Sequence, residues 1–338
     1  MTTLALVVAV FLGCLLILST GLWIGLRVTR ARRSRFAWAF GAMAISTAGW
    51  LVLYRGMTNI PLPEGVWYAP HIALMVTGVL GILWACLVSL LLLRANLVQI
   101  LGGWFSALPA FVLVWLLLQF VVQPYVMEIA YLRSNSMAPT LLALHHVGIC
   151  PHCGGTAFVP YTTNFEHEPP GARFGMCGDC RKCCQVSEMD ATIWRADRFV
   201  INKIVEPRRW DLVTYRDPRR QVTFTKRVVG LPGEEVYIRE GKVFINGEAM
   251  PLPAALEGLE FTLHQFDGRP ALWGTPDNPA ALGEDEYFVL DDFSIRGHDS
   301  RMWTTPLPGH PPYALPRSCI EGVVGLIIWP EDRMRLLR

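Results

Sequence analysis

The sequence has few charged residues, and the shortage is concentrated in its first part. Only 17% of the 338 residues are charged, whereas 52% are hydrophobic, and soluble domains typically have a charged fraction of roughly 25%. Residues 1–126 contain a single acidic side chain, Glu64, together with seven arginines. This composition excludes a disordered or purely soluble protein. The net charge of +2 is too small to predict nucleic-acid binding.

Long apolar runs fill the part of the chain that lacks acids. Each run has about 19 residues or more, and about 20 helical residues at a rise of 1.5 Å cross the bilayer core. The sequence therefore predicts a multi-span membrane anchor over residues 1–126, with the lipid bilayer as a partner. The predicted spans are Leu4–Leu26, Phe36–Tyr54, Ile72–Leu93 and Leu101–Val126.

The arginines predict how these spans are oriented. No basic residue precedes the first apolar run, so we do not expect this run to be a cleaved signal peptide. Five arginines lie between Arg27 and Arg35 instead, and arginine-rich loops stay in the cytoplasm. The fourth span then ends on the outer side. We expect a multi-pass protein of the inner (cytoplasmic) membrane whose residues 127–338 are extracytoplasmic.

Residues 127–338 lack helical patterns of comparable length. They contain short runs of alternating and β-branched residues, separated by turn residues, which is typical of strands. This pattern predicts an all-β domain and not a parallel α/β sheet. The predicted strands are Arg198–Ile201, Asp211–Tyr215, Val222–Thr225, Glu235–Ile238, Lys242–Ile245, Glu286–Leu290 and Gly322–Trp329.

Three short motifs lie in the predicted β domain: Ser134–Thr140 (SNSMAPT), Lys226–Glu234 (KRVVGLPGE) and Gly297–Arg301 (GHDSR). Taken singly, each is compatible with an ordinary turn or strand. Together, and in this order after a membrane anchor, they resemble motifs of the bacterial type I signal peptidase (leader peptidase) family. The resemblance extends over residues 196–250 and 283–330, so that with the serine motif it covers about half of the chain.

This resemblance implies a serine endopeptidase with a Ser/Lys dyad that removes signal peptides from exported preproteins, beside the translocation machinery as a possible partner. It makes Ser136 the nucleophile and Lys226 the general base, with no cofactor for catalysis. The Ser136 N–H and the Ser134 hydroxyl would form the oxyanion hole. The residue chemistry agrees, because a serine hydroxyl needs an adjacent base. A lysine becomes such a base where apolar burial favours its neutral form.

The third motif departs from the family pattern. Gly297 stands where the family has a serine that contacts the catalytic lysine, so Lys226 lacks one orienting partner. A water, Ser294 or Ser300 would have to replace that serine, or the activity is altered. The positions that match the family pattern are Asp292, Asp299, Ser300 and Arg301, whereas Asp291 replaces a glycine and Phe293 an asparagine.

Two of the matching residues carry opposite charges. We expect Asp299 and Arg301 to form a structural ion pair near the site, with Asp292 as a further supporting residue. Ion pairs beside active sites are more often architectural than catalytic.

Six of the nine cysteines lie in a segment, residues 145–195, that the resemblance skips. Two C-x2-C pairs in it have nearly the spacing of a zinc ribbon. We predict a structural zinc ion, with all four ligands from the protein and no open position for catalysis. The predicted ligands are Cys150, Cys153, Cys177 and Cys180, with Cys183 and Cys184 as alternatives.

Disulfides are the competing interpretation of these cysteines, because the extracytoplasmic side is oxidising. The C-P-x-C-G form of the first pair favours zinc. The neighbouring histidines, His145, His146 and His152, are spare ligand candidates that we expect on the surface.

Two other functions remain open at this point. Membrane helices with C-x2-C pairs are also found in membrane thiol–disulfide proteins, but these cysteines lie in a soluble insert and such a protein needs neither Ser136 nor Lys226. The other alternative is a non-catalytic signal-peptidase homologue whose zinc module binds a partner, and Gly297 is its only support.

Overall fold

The computed structural model describes residues 2–58, 69–161, 173–218 and 221–337. Glu64 and residues 162–172 of the predicted insert lie outside this part of the chain. Two compact units are formed, one by Ala5–Pro124 and the other by Met1–Leu4 with Tyr125–Arg338.

The first unit is helical, and the predicted spans are confirmed as helices. Within the described residues, four helices are long and apolar enough to cross a membrane. The protein is therefore membrane-anchored. The helices are α1 (Thr3–Val28), α2 (Phe36–Thr58), α3 (Ala69–Leu93) and α4 (Leu97–Leu117), which a π-helical turn (Leu118–Val122) and α5 (Gln123–Tyr125) prolong.

Local signals explain where α4 begins and how closely it approaches α1. The side chain of Asn96 accepts from the Gln99 N–H, and the Gln99 side chain accepts from the Asn96 N–H, which is a capping box. A Cβ atom on Gly25 would lie 2.7 Å from the Gly103 carbonyl oxygen. Small residues of this kind let membrane helices pack backbone against backbone.

The second unit is built from antiparallel strands, as the sequence predicts. Its strands are β1 (Met127–Tyr131), β2 (His145–Ile149), β3 (Thr156–Pro160), β4 (Phe174–Cys177), β5 (Cys183–Gln185), β6 (Arg198–Asn202), β7 (Leu212–Asp217), β8 (Val222–Gly230), β9 (Glu235–Arg239), β10 (Lys242–Ile245), β11 (Glu248–Ala249), β12 (Ala280–Ala281), β13 (Glu286–Leu290), β14 (Leu315–Pro316), β15 (Ile320–Trp329) and β16 (Arg335–Leu336).

Three sheets are present in the described part of this unit. The largest has eight strands in the order β1-β6-β15-β7-β8-β13-β14, with β16 paired to β15. A second has the order β11-β10-β9-β12, and the third, formed by the cysteine-rich insert, has the order β2-β3-β4-β5. Two of the apolar clusters that bury side chains of the largest sheet lie around Val213 and Val289 and around Met137 and Ile201.

Strand β8 is longer than the sequence pattern predicts. The predicted strand stops at Thr225, whereas β8 continues to Gly230 between β7 and β13. Its second half is buried throughout, so tertiary packing extends the strand beyond the alternating pattern. Lys226 consequently lies inside a central strand.

Candidate active site

Ser136 lies in the turn segment that follows β1. The side chains next to it, Met137 and Ala138, are completely buried, in two different apolar clusters, whereas Ser136 itself is half-buried. The Ser136 carbonyl oxygen accepts the N–H of Phe293 at 2.9 Å. The buried side chains and this hydrogen bond therefore hold the turn in place, while the Ser136 side chain stays accessible. Ser134 is half-buried in the same segment.

Lys226 projects from the middle of the largest sheet into a buried environment. It pairs with Val213 of β7, and its side chain is 5% exposed. Its Nζ atom lies 2.5 Å from Oδ2 of Asp291, whose side chain is fully buried. The pairing of Leu290 with Arg227 explains this contact, because the next positions along the two antiparallel strands are Asp291 and Lys226.

Asp291 is the residue of this site that sequence reasoning missed. Burial raises the pKa of Asp291 to about 6, against the opposing effects of Lys226 and the Ser136 hydroxyl, while Asp299 adds to the rise. Within the described residues, no hydrogen-bond partner reaches its Oδ1 atom. The signal available in the sequence is an additional acid: Asp291 comes directly after a buried strand, at a position where the family has glycine.

The space around Asp291 depends on Gly297. A Cβ atom on Gly297 would lie 2.8 Å from the Asp291 Cβ and 2.7 Å from Oδ2 of Asp299. A side chain at position 297 would therefore collide with these carboxyl residues.

The expected substitutes for the missing serine have other partners. Ser294 Oγ accepts from Arg301 Nη1 at 2.7 Å and from the Thr262 N–H at 2.8 Å. Ser300 Oγ accepts the N–H of Val289 at 3.0 Å. In the described contacts, both hydroxyls therefore bind loop or strand backbone and Arg301. The side chain that contacts Lys226 is that of Asp291.

Two further buried ion pairs frame the site. Arg227 contacts both carboxylate oxygens of Asp292 at 2.6 Å, and Thr140 donates to Asp292 Oδ2 at 2.5 Å. This pair thus joins β8, the loop after β13 and the end of the serine segment. Arg301 contacts both oxygens of Asp299, at 2.9 and 2.6 Å.

The Asp299–Arg301 pair also holds Asp291. Oδ2 of Asp299 accepts the Asp291 N–H at 2.9 Å. Burial opposes ionisation of Asp299, but the charge and hydrogen bonds of Arg301 outweigh it and keep the pKa of Asp299 below its ordinary value. Asp299 therefore stays ionised and positions the Asp291 backbone.

Four cysteines meet at the tips of two hairpins in the insert. Cys150 and Cys153 belong to the β2–β3 connection, whereas Cys177 ends β4 and Cys180 belongs to the β4–β5 connection. Their sulfur atoms all lie within 4.8 Å of one another, with Cys150–Cys180 at 3.8 Å and Cys153–Cys177 at 3.5 Å. A tetrahedral zinc site with Zn–S bonds of about 2.3 Å has sulfur–sulfur edges of about 3.8 Å, whereas a disulfide needs about 2.05 Å.

The pKa values of these thiols are also compatible with a bound cation. Burial raises the pKa of Cys177 to about 12. Burial acts in the same direction on Cys150, but backbone hydrogen bonds from His152 and Cys153 outweigh it and lower its pKa to about 6. The cluster thus holds one thiolate readily, and further thiolates need a positive ion among them.

The alternative ligands lie outside this cluster. Cys184 is buried and its Sγ donates to the Gly175 carbonyl oxygen at 3.7 Å, and Cys183 packs in an apolar cluster. The prediction that the three histidines lie on the surface is wrong for His145, which is 4% exposed, with Nδ1 at 2.8 Å from the Ala143 carbonyl oxygen. That ring is enclosed because it packs edge-on against Phe158.

Comparisons with known proteins agree on one family. A family model described as "Signal peptidase, peptidase S26" matches residues 182–329. Signal peptidase I P of Bacillus subtilis subsp. natto is 27% identical over 156 residues, which are 45% of this chain and 77% of that protein. Over this part of its length, the chain is similar to the type I signal peptidase family. The range matched by the family model contains Lys226 and Asp291, whereas Ser136 precedes it.

Other proteins of this family are matched over a smaller share of their length. A probable signal peptidase I-2 of Synechocystis sp. is 27% identical over 163 residues, and signal peptidase I of Pseudomonas fluorescens is 30% identical over 159 residues. The chain spans 63% of the first protein and 55% of the second. A crystal structure of signal peptidase I from Enterococcus faecalis is 27% identical, with a TM-score of 0.26, over 36% of this chain and 97% of that one.

Proposed function

We propose that this protein is a membrane-bound serine endopeptidase that cleaves signal peptides from exported preproteins, with Ser136 as nucleophile and Lys226 as general base. One observation carries the proposal: Lys226 is buried in a central strand and contacts the buried carboxyl group of Asp291, whose pKa the Ser136 hydroxyl, from a distant part of the sequence, also lowers. Similarity to signal peptidases supports the same activity. The comparisons give no support to a thiol–disulfide carrier or to a non-catalytic homologue.

The reaction needs a neutral amine beside an accessible hydroxyl. Lys226 Nζ takes the proton of Ser136 Oγ while the oxygen attacks the scissile carbonyl carbon. When the tetrahedral intermediate collapses, the C–N bond breaks and Lys226 returns the proton to the leaving amine. Water, deprotonated by the same amine, then hydrolyses the acyl ester and restores the Ser136 hydroxyl. The Lys226 side chain that supplies this amine is 4% exposed and lies in a central strand of the largest sheet.

The developing oxyanion needs hydrogen-bond donors in the same turn. We assign this role to the Ser136 N–H and the Ser134 hydroxyl. The two residues lie two positions apart in a segment whose following side chains are fully buried. Each such donor typically contributes about 3–4 kcal/mol to stabilisation of the transition state.

The substrate is expected to be an extended peptide. By family analogy it presents small side chains at the −1 and −3 positions and pairs with a strand of the site, as in β-strand addition. The catalytic unit would lie on the extracytoplasmic side, where preproteins emerge from the translocation machinery. The arginine-rich segment Arg27–Arg35 supports this orientation.

The four-cysteine cluster is proposed to hold one structural zinc ion. Four thiolates at the observed separations complete a tetrahedral shell, so the ion would stabilise the insert and take no part in peptide cleavage.

The experiment that tests the peptidase is cleavage of a signal-peptide-bearing preprotein by the full chain in detergent or vesicles. Ser136→Ala and Lys226→Ala are each expected to lower kcat by about 10⁴-fold or more, since removal of a nucleophile or its base leaves little catalysis. Matched controls are Ser318→Ala and Lys242→Ala, two exposed positions outside the site.

The controls are expected to cleave like the unmodified protein. Full cleavage by either Ser136→Ala or Lys226→Ala would overturn the assigned mechanism. Loss of activity only in cysteine variants would instead favour thiol–disulfide chemistry.

A further inference from the structure

Lys226 is held by a carboxylate. Its Nζ atom lies 2.5 Å from Asp291 Oδ2, and the exposed fractions of the two side chains are 5% and 0%. A buried ion pair that loses one partner leaves an uncompensated charge. The position of the Lys226 side chain therefore depends on Asp291.

Asp291 has room for this contact because residue 297 lacks a side chain. The Cβ that any other residue would add at Gly297 lies 2.8 Å from the Asp291 Cβ, closer than real Cβ contacts occur. Gly297 and Asp291 are thus a complementary pair: one leaves the space that the other fills.

The remaining charged groups around Asp291 are already paired with one another. Asp299 holds the Asp291 N–H and is neutralised by Arg301, from the loop after β13. Arg227 of β8 pairs with Asp292. Among the groups that face the Asp291 carboxyl, only Lys226 is a cation that contacts it directly in the described residues, and the Ser136 hydroxyl acts to lower the pKa of Asp291.

We infer that Asp291 is a positioning residue of the peptidase site: it orients Lys226 toward Ser136, sets the pH at which Lys226 becomes a competent base, and requires glycine at position 297. This inference rests on the proposed function. Asp291 acts through Lys226 and is not itself expected to contact the substrate.

The sign of the pH effect follows from charge. A carboxylate beside the ammonium stabilises the protonated lysine, so the amine becomes neutral only at higher pH. The substitution Asp291→Asn replaces the carboxylate by a neutral amide, which removes that stabilisation while keeping the shape of the side chain. The acid limb of the pH–rate profile should then move to lower pH.

The test is a pH profile of kcat and KM on a synthetic peptide with alanine at −1 and −3, using the full chain in detergent. For Asp291→Asn we expect the acid limb of kcat to move to lower pH by about one unit or more, as for loss of a charge within about 4 Å. The plateau kcat should fall at least about tenfold, with KM within about twofold of the unmodified protein, because orientation of the base is lost. Asp277→Asn, at an exposed turn, is the matched control and should leave the profile unchanged.

The space argument has its own test. Gly297→Ser is expected to reduce cleavage strongly in the unmodified protein and less in an Asp291→Gly background, where one of the two collisions is removed. An equal cost of Gly297→Ser in both backgrounds contradicts the pairing of the two positions.

An unmoved acid limb in Asp291→Asn, with a normal unfolding transition, overturns the inference. A variant that is merely destabilised lowers the amount of active enzyme without moving the limb, and this outcome also counts against it. If Ser136→Ala and Lys226→Ala abolish cleavage while the limb stays in place, only the role of Asp291 fails. If those two variants cleave normally, the proposed function itself fails.

Discussion

At the scale of single residues, the site is a set of buried charges that are paired one to one. Lys226 faces Asp291, Arg227 faces Asp292 and Arg301 faces Asp299, and each carboxylate is fully buried. Consecutive residues of β8 thus contact consecutive residues after β13. The proposed chemistry uses the Lys226–Asp291 pair. The other two pairs hold the loops around the site in place.

The Arg227–Asp292 pair makes a prediction about stability. Asp292→Ala leaves the Arg227 guanidinium, which is 3% exposed, without its carboxylate and removes the acceptor of Thr140. Breaking a buried pair from one side costs about 3–5 kcal/mol. Thermal unfolding in detergent should show a clearly lower midpoint for this variant, whereas the exposed Asp277→Ala should unfold like the unmodified protein. An unchanged midpoint for Asp292→Ala would show that the pair is dispensable.

At the scale of elements, the cysteine-rich insert packs directly against the segments that carry the site. Met176 of β4 lies in the same apolar cluster as Ala138 of the serine segment and Phe293 of the loop after β13. Phe293 in turn donates to the Ser136 carbonyl oxygen. The order of the insert and the geometry of the serine turn are therefore linked through shared packing.

The proposed zinc ion is the element-scale prediction. The purified full chain should contain about one zinc per chain, and Cys150→Ser or Cys177→Ser should lose it, because each removes one of four thiolate ligands. Cys319→Ser, outside the cluster, is the control and should retain the metal. A purified protein that contains no zinc and whose six insert cysteines are oxidised would show that the insert holds disulfides instead.

At the scale of the whole molecule, charge is divided unequally along the chain. The helical part holds seven of the 30 Lys and Arg residues and one of the 28 acids, while residues 127–338 carry the rest. Basic residues flanking a span stay on the cytoplasmic side, whereas acidic residues contribute little to orientation. This distribution is the basis for expecting the catalytic unit outside.

Reporter fusions check this orientation in cells. Alkaline phosphatase, which is active only outside the cytoplasm, should be active when fused after Arg338 and inactive when fused to a chain truncated after Arg35. Green fluorescent protein at the same two positions should give the opposite pattern. The reverse result at both positions would contradict the orientation predicted from the arginines.

Features with a local cause were predictable from the sequence by itself. The four spans follow from uninterrupted apolar length, and the strands from alternation over a few residues. The serine and lysine motifs and the two C-x2-C pairs are likewise contiguous patterns. Ser136, Lys226 and the four clustered cysteines could therefore be named as candidates before any fold was known.

Only the tertiary structure decided which of these residues meet. Lys226 and Asp291 are 65 positions apart and come together through the register of β8 with β13, a non-local pairing that no sequence window contains. The same holds for the choice of four cysteines among six, which depends on two hairpin tips approaching each other. Burial of Asp291 and the space beside Gly297 arise from this packing. The sequence alone therefore shows that both positions differ from the family pattern, but not that the two residues lie side by side.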